Sequence, residues 1–69
     1  MYRFLVVIEK ANDNYSAYSP DLPGCVVTGG TREEAERNMR EAIELQVRGL
    51  KEDGLHIPES NSVAEYMSV

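Results

Sequence analysis

The chain has 69 residues, enough for one domain over 1–69 with a core that supplies only ~3–5 kcal/mol of net stability. One cysteine, Cys25, and one histidine, His56, give neither an intramolecular disulfide nor a metal-ligand spacing, so self-association is the remaining support and an oligomer is expected. A net charge of −5 and a pI near 4.7 argue against direct nucleic-acid binding, which needs a basic patch, and favour a basic partner.

The first ten residues, MYRFLVVIEK, have the composition of a strand. Tyr2, Phe4, Val6 and Ile8 alternate with Leu5 and Val7, so both faces are apolar. The apolar stretch is too short for a signal peptide, has no cleavage site behind it, and nowhere does the chain approach the ~20 apolar residues of a membrane span. With a free thiol, this points to the cytoplasm and away from a membrane. Asn12-Asp13-Asn14 is turn chemistry, and YSAYS resumes an extended pattern, which together predict a β-hairpin.

Two proline-punctuated turns follow in Pro20-Asp21-Leu22-Pro23-Gly24. Pro23 presets φ for the second position of a type II turn, and Gly24 supplies the positive φ of the third. Asp21, between the two prolines, is read as accepting hydrogen bonds from backbone N–H groups of its own turn. Cys25-Val26-Val27-Thr28 is a third short strand, ended by Gly29-Gly30. Thr31-Arg32-Glu33-Glu34 is a capping box: the Thr31 hydroxyl faces the Glu34 amide, and the Glu34 carboxylate reaches back. The helix behind it runs to about Asp53. Its apolar stripe is Ala35, Met39, Ala42, Ile43, Gln46, Val47 and Leu50, and Glu33–Arg37, Glu36–Arg40 and Glu44–Arg48 lie at i,i+4 on a solvated face. Gly54 stops the helix, with Pro58 beyond it. VAEYMSV, 63–69, then predicts a fourth strand, parallel to an earlier one through a right-handed crossover.

The predicted architecture is α+β: a three-stranded antiparallel sheet (hairpin plus third strand), one helix and a fourth strand, in the order βββαβ, with the helix on one face. One helix covers one face of a sheet. Leu5, Val7 and Tyr18 are therefore expected on an uncovered surface, and with Leu45, which lies off the helix stripe, they form the candidate interaction surface.

No catalytic, cofactor-binding or metal-binding residue is assigned, and the chain is read as not an enzyme. Cys25 falls in a predicted strand without a base beside it, His56 in a loop ahead of a proline. Carboxylates do not converge from strand centres as metal-dependent hydrolysis requires, and Gly29-Gly30 lacks the lysine and spacing of a phosphate loop.

The motif Y-x-P-D-L-P-G-C-V-x-x-G-x-T-x-E-E-A from Tyr18 to Ala35, then E-A-I-E-L from Glu41 and G-L-x-I-P-E-S from Gly54, resembles the HicB family of antitoxins, over about Tyr2 to Ser60. The resemblance implies a partial ribonuclease-H-like fold and a role in binding and blocking HicA toxins, small basic ribonucleases that cleave messenger RNA. Two-domain members continue into a DNA-binding segment; this sequence stops at Val69, so no C-terminal DNA-binding domain and no direct nucleic-acid contact are expected of it. Val6 and Val7 stand where ribonuclease H carries its first-strand aspartate, so nuclease activity does not carry over. The alternative is a stand-alone oligomeric binding domain of the same fold with no toxin partner.

Overall fold

Residues 2–69 are described by a computed structural model in which β1 (Val7–Lys10), β2 (Tyr15–Tyr18), β3 (Val26–Gly29) and α1 (Arg32–Glu52) follow in chain order. Met1, the first residue of the predicted first strand, lies outside the described residues. The sheet is antiparallel with order β1-β2-β3, so β2 is central and both other strands are edges. A bond from Ala11 N–H to the Asn14 carbonyl, 2.8 Å, closes the hairpin. The register aligns Ile8 with Ala17 and Val27 in one row, and Val7 with Tyr18 and Val26 in the next. Because side chains alternate between faces, these two rows point to opposite sides of the sheet.

β1 is shorter than the sequence pattern predicts. Its antiparallel partner ends at Tyr18, because the chain turns at Ser19-Pro20, and proline has no N–H to donate to a ladder. Phe4 and Val6 still pack against the core beside Ile8. They keep the strand's alternation without a ladder partner on either side.

Between β2 and β3 two β-turns run in tandem. Leu22 N–H donates to the Ser19 carbonyl and Cys25 N–H to the Leu22 carbonyl, both at 3.1 Å. Leu22 therefore closes one turn and opens the next, and its side chain is 1 % exposed. Gly24 has φ +82°, the value that the third position of a type II turn requires. The turns thus drive one leucine into the core, a burial contributing roughly 1.5–3 kcal/mol.

α1 begins at Thr31, whose Oγ1 accepts the Glu34 N–H at 3.0 Å. The Glu34 carboxylate reaches back to the Gly30 N–H at 2.8 Å, one residue further than a capping box extends, so it straps the loop to the helix. At the other end Gly54 N–H bonds the Lys51 carbonyl and Leu55 N–H bonds the Leu50 carbonyl, a Schellman closure around Asp53. Ala35 and Met39 are buried at the sheet contact, with Ala42 and Ile43 packed beside them. Gly29 is required here by close approach: a Cβ on it would come within 2.5 Å of the Ala35 backbone nitrogen. A 2.9 Å bond from the Asn38 side-chain amide to the Thr28 carbonyl adds a second tie between helix and β3.

Consequently the helix sits over β3 and β2 and touches β1 least. A groove of about 650 Å³ is left between them, with Phe4, Val6 and Ile8 on one wall and Met39 and Ile43 on the other.

The predicted fourth strand is not formed. Residues 55–69 carry no strand, and among the described residues no backbone–backbone hydrogen bond outside the ladders and helix involves 2–6 or 56–69. The segment nevertheless runs where a fourth strand would. Ile57–Ser60 share a cleft with Tyr2–Phe4, Ser62–Ala64 with Phe4–Val6, and Ala64 and Glu65 with Val6–Ile8. The two stretches advance together, so the tail is parallel to β1 but unpaired with it.

Candidate protein-binding surface

The face of the sheet away from the helix is built by strand alternation. Val7, Tyr18 and Val26 lie side by side across its full width. Glu9, Ser16 and Thr28 form the adjoining polar row. Leu5 extends the β1 column by one alternation, and it, Val7 and Tyr18 are half-buried. Val26, on the edge strand, is 63 % exposed, although the sequence reading left it out. The strand pattern carried that signal: once β2 and β3 are registered, Val26 must stand opposite Tyr18. Leu45 is 66 % exposed but belongs to α1, on the other layer. The structure therefore brings Leu5, Val7 and Tyr18 together and does not bring Leu45 to them.

Asp21 behaves differently from the turn acceptor read in the sequence. The turn bond beside it is made by backbone atoms alone, from Leu22 N–H to the Ser19 carbonyl. Its carboxylate instead accepts two bonds from Ser62, the N–H at 3.2 Å and the Oγ–H at 2.9 Å. The pair lies 41 residues apart in the chain and is partly buried. A local signal could not reveal a partner at that distance. Asp21 is a clamp for the C-terminal segment.

Cys25 is buried in the core cluster, and burial pushes its thiol pKa up, which makes it a packing residue with little thiolate at neutral pH. Among the described residues no group of three or more His, Cys, Asp or Glu side chains could hold a metal ion. No helix among them is long and apolar enough to cross a membrane. What the surface offers is an apolar row rimmed by polar groups, which is the chemistry of protein contact.

Comparison with known proteins gives the same direction. The model of the HicB-like antitoxin of bacterial toxin–antitoxin systems matches residues 4–69. A 14.9 kDa protein from the rep–hol intergenic region of Haemophilus phage HP1 is 41 % identical over 63 residues, 91 % of this chain and 47 % of its own. A UPF0150 protein of Helicobacter pylori is 48 % identical over 83 % of this chain and 81 % of its own, and one of Synechocystis 36 % over 100 % and 89 %. The chain thus spans about half the length of the phage relative but most of the two bacterial ones. No solved structure matches. With a family match over nearly its whole length, the chain belongs to the HicB-like antitoxins of bacterial toxin–antitoxin systems.

Proposed function

We propose that the protein binds a small basic HicA-type toxin, an mRNA-cleaving ribonuclease, and neutralises it by covering it. The observation that carries this reading is the family match over residues 4–69. Two physical features support it. The net charge of −5 suits a basic partner, and the row Val7, Tyr18 and Val26 with Leu5 is an apolar patch on the sheet face that the helix leaves open. Contact is therefore expected on that face, with acidic residues steering the encounter. The chain acts by binding and has no catalytic part of its own in this mechanism. Self-association accompanies it, since a core of this size benefits from a second copy.

The test pairs the protein with the product of the adjacent gene, expected to be a basic open reading frame of ~60–80 codons, the size of one small domain. The antitoxin should suppress RNA cleavage by that product at near-equimolar ratio, while the antitoxin alone leaves RNA uncut with or without Mg²⁺. Tyr18→Asp together with Val26→Asp should abolish suppression without loss of helical signal. RNA cleavage by the protein itself, or no inhibition of the neighbour, would overturn the proposal; the second result moves the weight to a stand-alone oligomeric binding domain.

A further inference from the structure

The helix layer over the sheet is only part complete. α1 lies over β3 and β2 and touches β1 least, so the helix side of the first strand is left open. Two clefts of about 650 and 370 Å³ run into one another there, sharing Tyr2, Phe4, Ile43 and Glu44. Together they make one groove with two apolar walls. Phe4, Val6 and Ile8 stand at every second position of the extended chain, and Met39, Ile43 and Val47 at every fourth position of α1. From Tyr2 to Ile8 an extended backbone covers ~20 Å, and from Glu36 to Lys51 the helix rises ~22 Å, so the walls match in length. Lys51 Nζ sits 5.0 Å from the centre of the Tyr2 ring and marks one end.

The charge around this groove opposes the charge of the chain. Arg3, Arg40, Arg48 and Lys51, four of the seven basic residues, line it, with Glu36 and Glu44 of the twelve acidic ones. Four cations against two anions leave +2 here, on a chain of net −5. All four cations are exposed. A basic partner is repelled at this place and an acidic one favoured. The shape narrows the choice further. The groove is open along its length, so a small apolar molecule would keep much of its surface in water, whereas ligand sites bury most of a ligand. A helix seated on it would turn its apolar face to the walls and its polar face outward, beside α1 in the layer that α1 begins.

We propose that this groove takes an acidic amphipathic helix of a partner protein. Apolar side chains on one face of that helix enter between Phe4, Val6 and Ile8 on one side and Ile43 and Val47 on the other. Carboxylates flanking them meet Arg40, Arg48 and Lys51. This partner has the opposite charge to the basic toxin of the reading above and lies on the other face of the sheet from Tyr18 and Val26, so the chain can hold both at once.

The test uses the full chain without toxin, so its outcome is separate from that of the inhibition assay. The probe is a synthetic peptide of ~15 residues, as long as the groove when helical, with leucines on one face and glutamates beside them. Its control carries lysine at each glutamate position. The glutamate peptide should bind at least ~10-fold more tightly than the lysine peptide at low salt, although the net charge of −5 by itself favours the lysine peptide. Amide shift changes on binding should gather at residues 4–8 and 39–51 and leave 16–18 and 26–28 in place. Arg48→Glu with Lys51→Glu, both at exposed positions, should weaken the glutamate peptide by at least ~10-fold and strengthen the lysine peptide, a reversal that a loss of folding does not produce. A lysine peptide that binds as well as the glutamate peptide, shift changes gathered on the sheet face, or no binding at ~1 mM peptide would overturn the proposal.

Discussion

Two glycines show how differently the same local rule can be enforced. Gly24 and Gly29 both resist a side chain, the first because its φ is +82°, the second because the Ala35 backbone occupies the place of its Cβ. Gly24→Ala should cost about 1–2 kcal/mol, since the new methyl meets open space and only the dihedral is strained. Gly29→Ala should cost more, about 2–3 kcal/mol, because the helix start must move away from β3. Urea denaturation of the two variants checks the ranking, and equal losses would contradict it. For Cys25 the sign follows from burial. Its folded-state pKa is raised, so its contribution is complete below the ordinary thiol range and is lost as pH rises through the raised value. Folded protein at neutral pH should therefore react with a thiol reagent far more slowly than unfolded protein, and Cys25→Ala should flatten the alkaline fall in stability.

Among the elements, the C-terminal segment is the one whose behaviour depends on a single distant carboxylate. Asp21→Ala removes both bonds to Ser62, and the segment should become the first site cut in limited proteolysis while the helix remains intact. The stability loss should be about 1 kcal/mol, small because the pair is only partly buried. Resistance equal to that of the unmodified chain would show that other contacts hold the tail. Here lies the boundary of what the sequence makes legible. Hairpin, tandem turns, third strand, cap and helix stripe are all written in residues within four positions of one another, and each stands within a residue or so of its expected place. The first strand's outer half and the fourth strand fail together, for one reason. Strand composition marks residues 2–6 and 63–69 as willing to pair, but a ladder needs two backbones brought within ~5 Å, and composition does not specify that. The long-range bond of Asp21 was equally hidden, and Val26 became visible on the open face only through register.

For the whole molecule, charge and surface divide the work. On the proposed reading, association with a basic toxin should slow as ionic strength rises, while dissociation, set by the apolar row on the sheet face, should change little. Stopped-flow association at 50 and 300 mM salt reads this directly; a rate independent of salt would remove steering from the mechanism. The two sheet faces are covered unequally. α1 occupies one over β2 and β3, and leaves a groove beside β1 on that same face. The opposite face stays available for a different partner.

The Asp21–Ser62 clamp also orders events in time. From Val7 to Glu52 most contacts between elements join neighbours in the chain, β1 to β2, β2 to β3 and β3 to α1, the arrangement that closes fastest because its loops are short. The clamp must instead wait for a loop of 41 residues to close. In refolding, the sheet and helix should therefore be assembled before Asp21 captures Ser62. In pulse-labelled refolding, the helix amides should gain protection from hydrogen exchange before the Ser62 amide does. The segment after the helix is thus fixed onto a sheet and helix that are already complete.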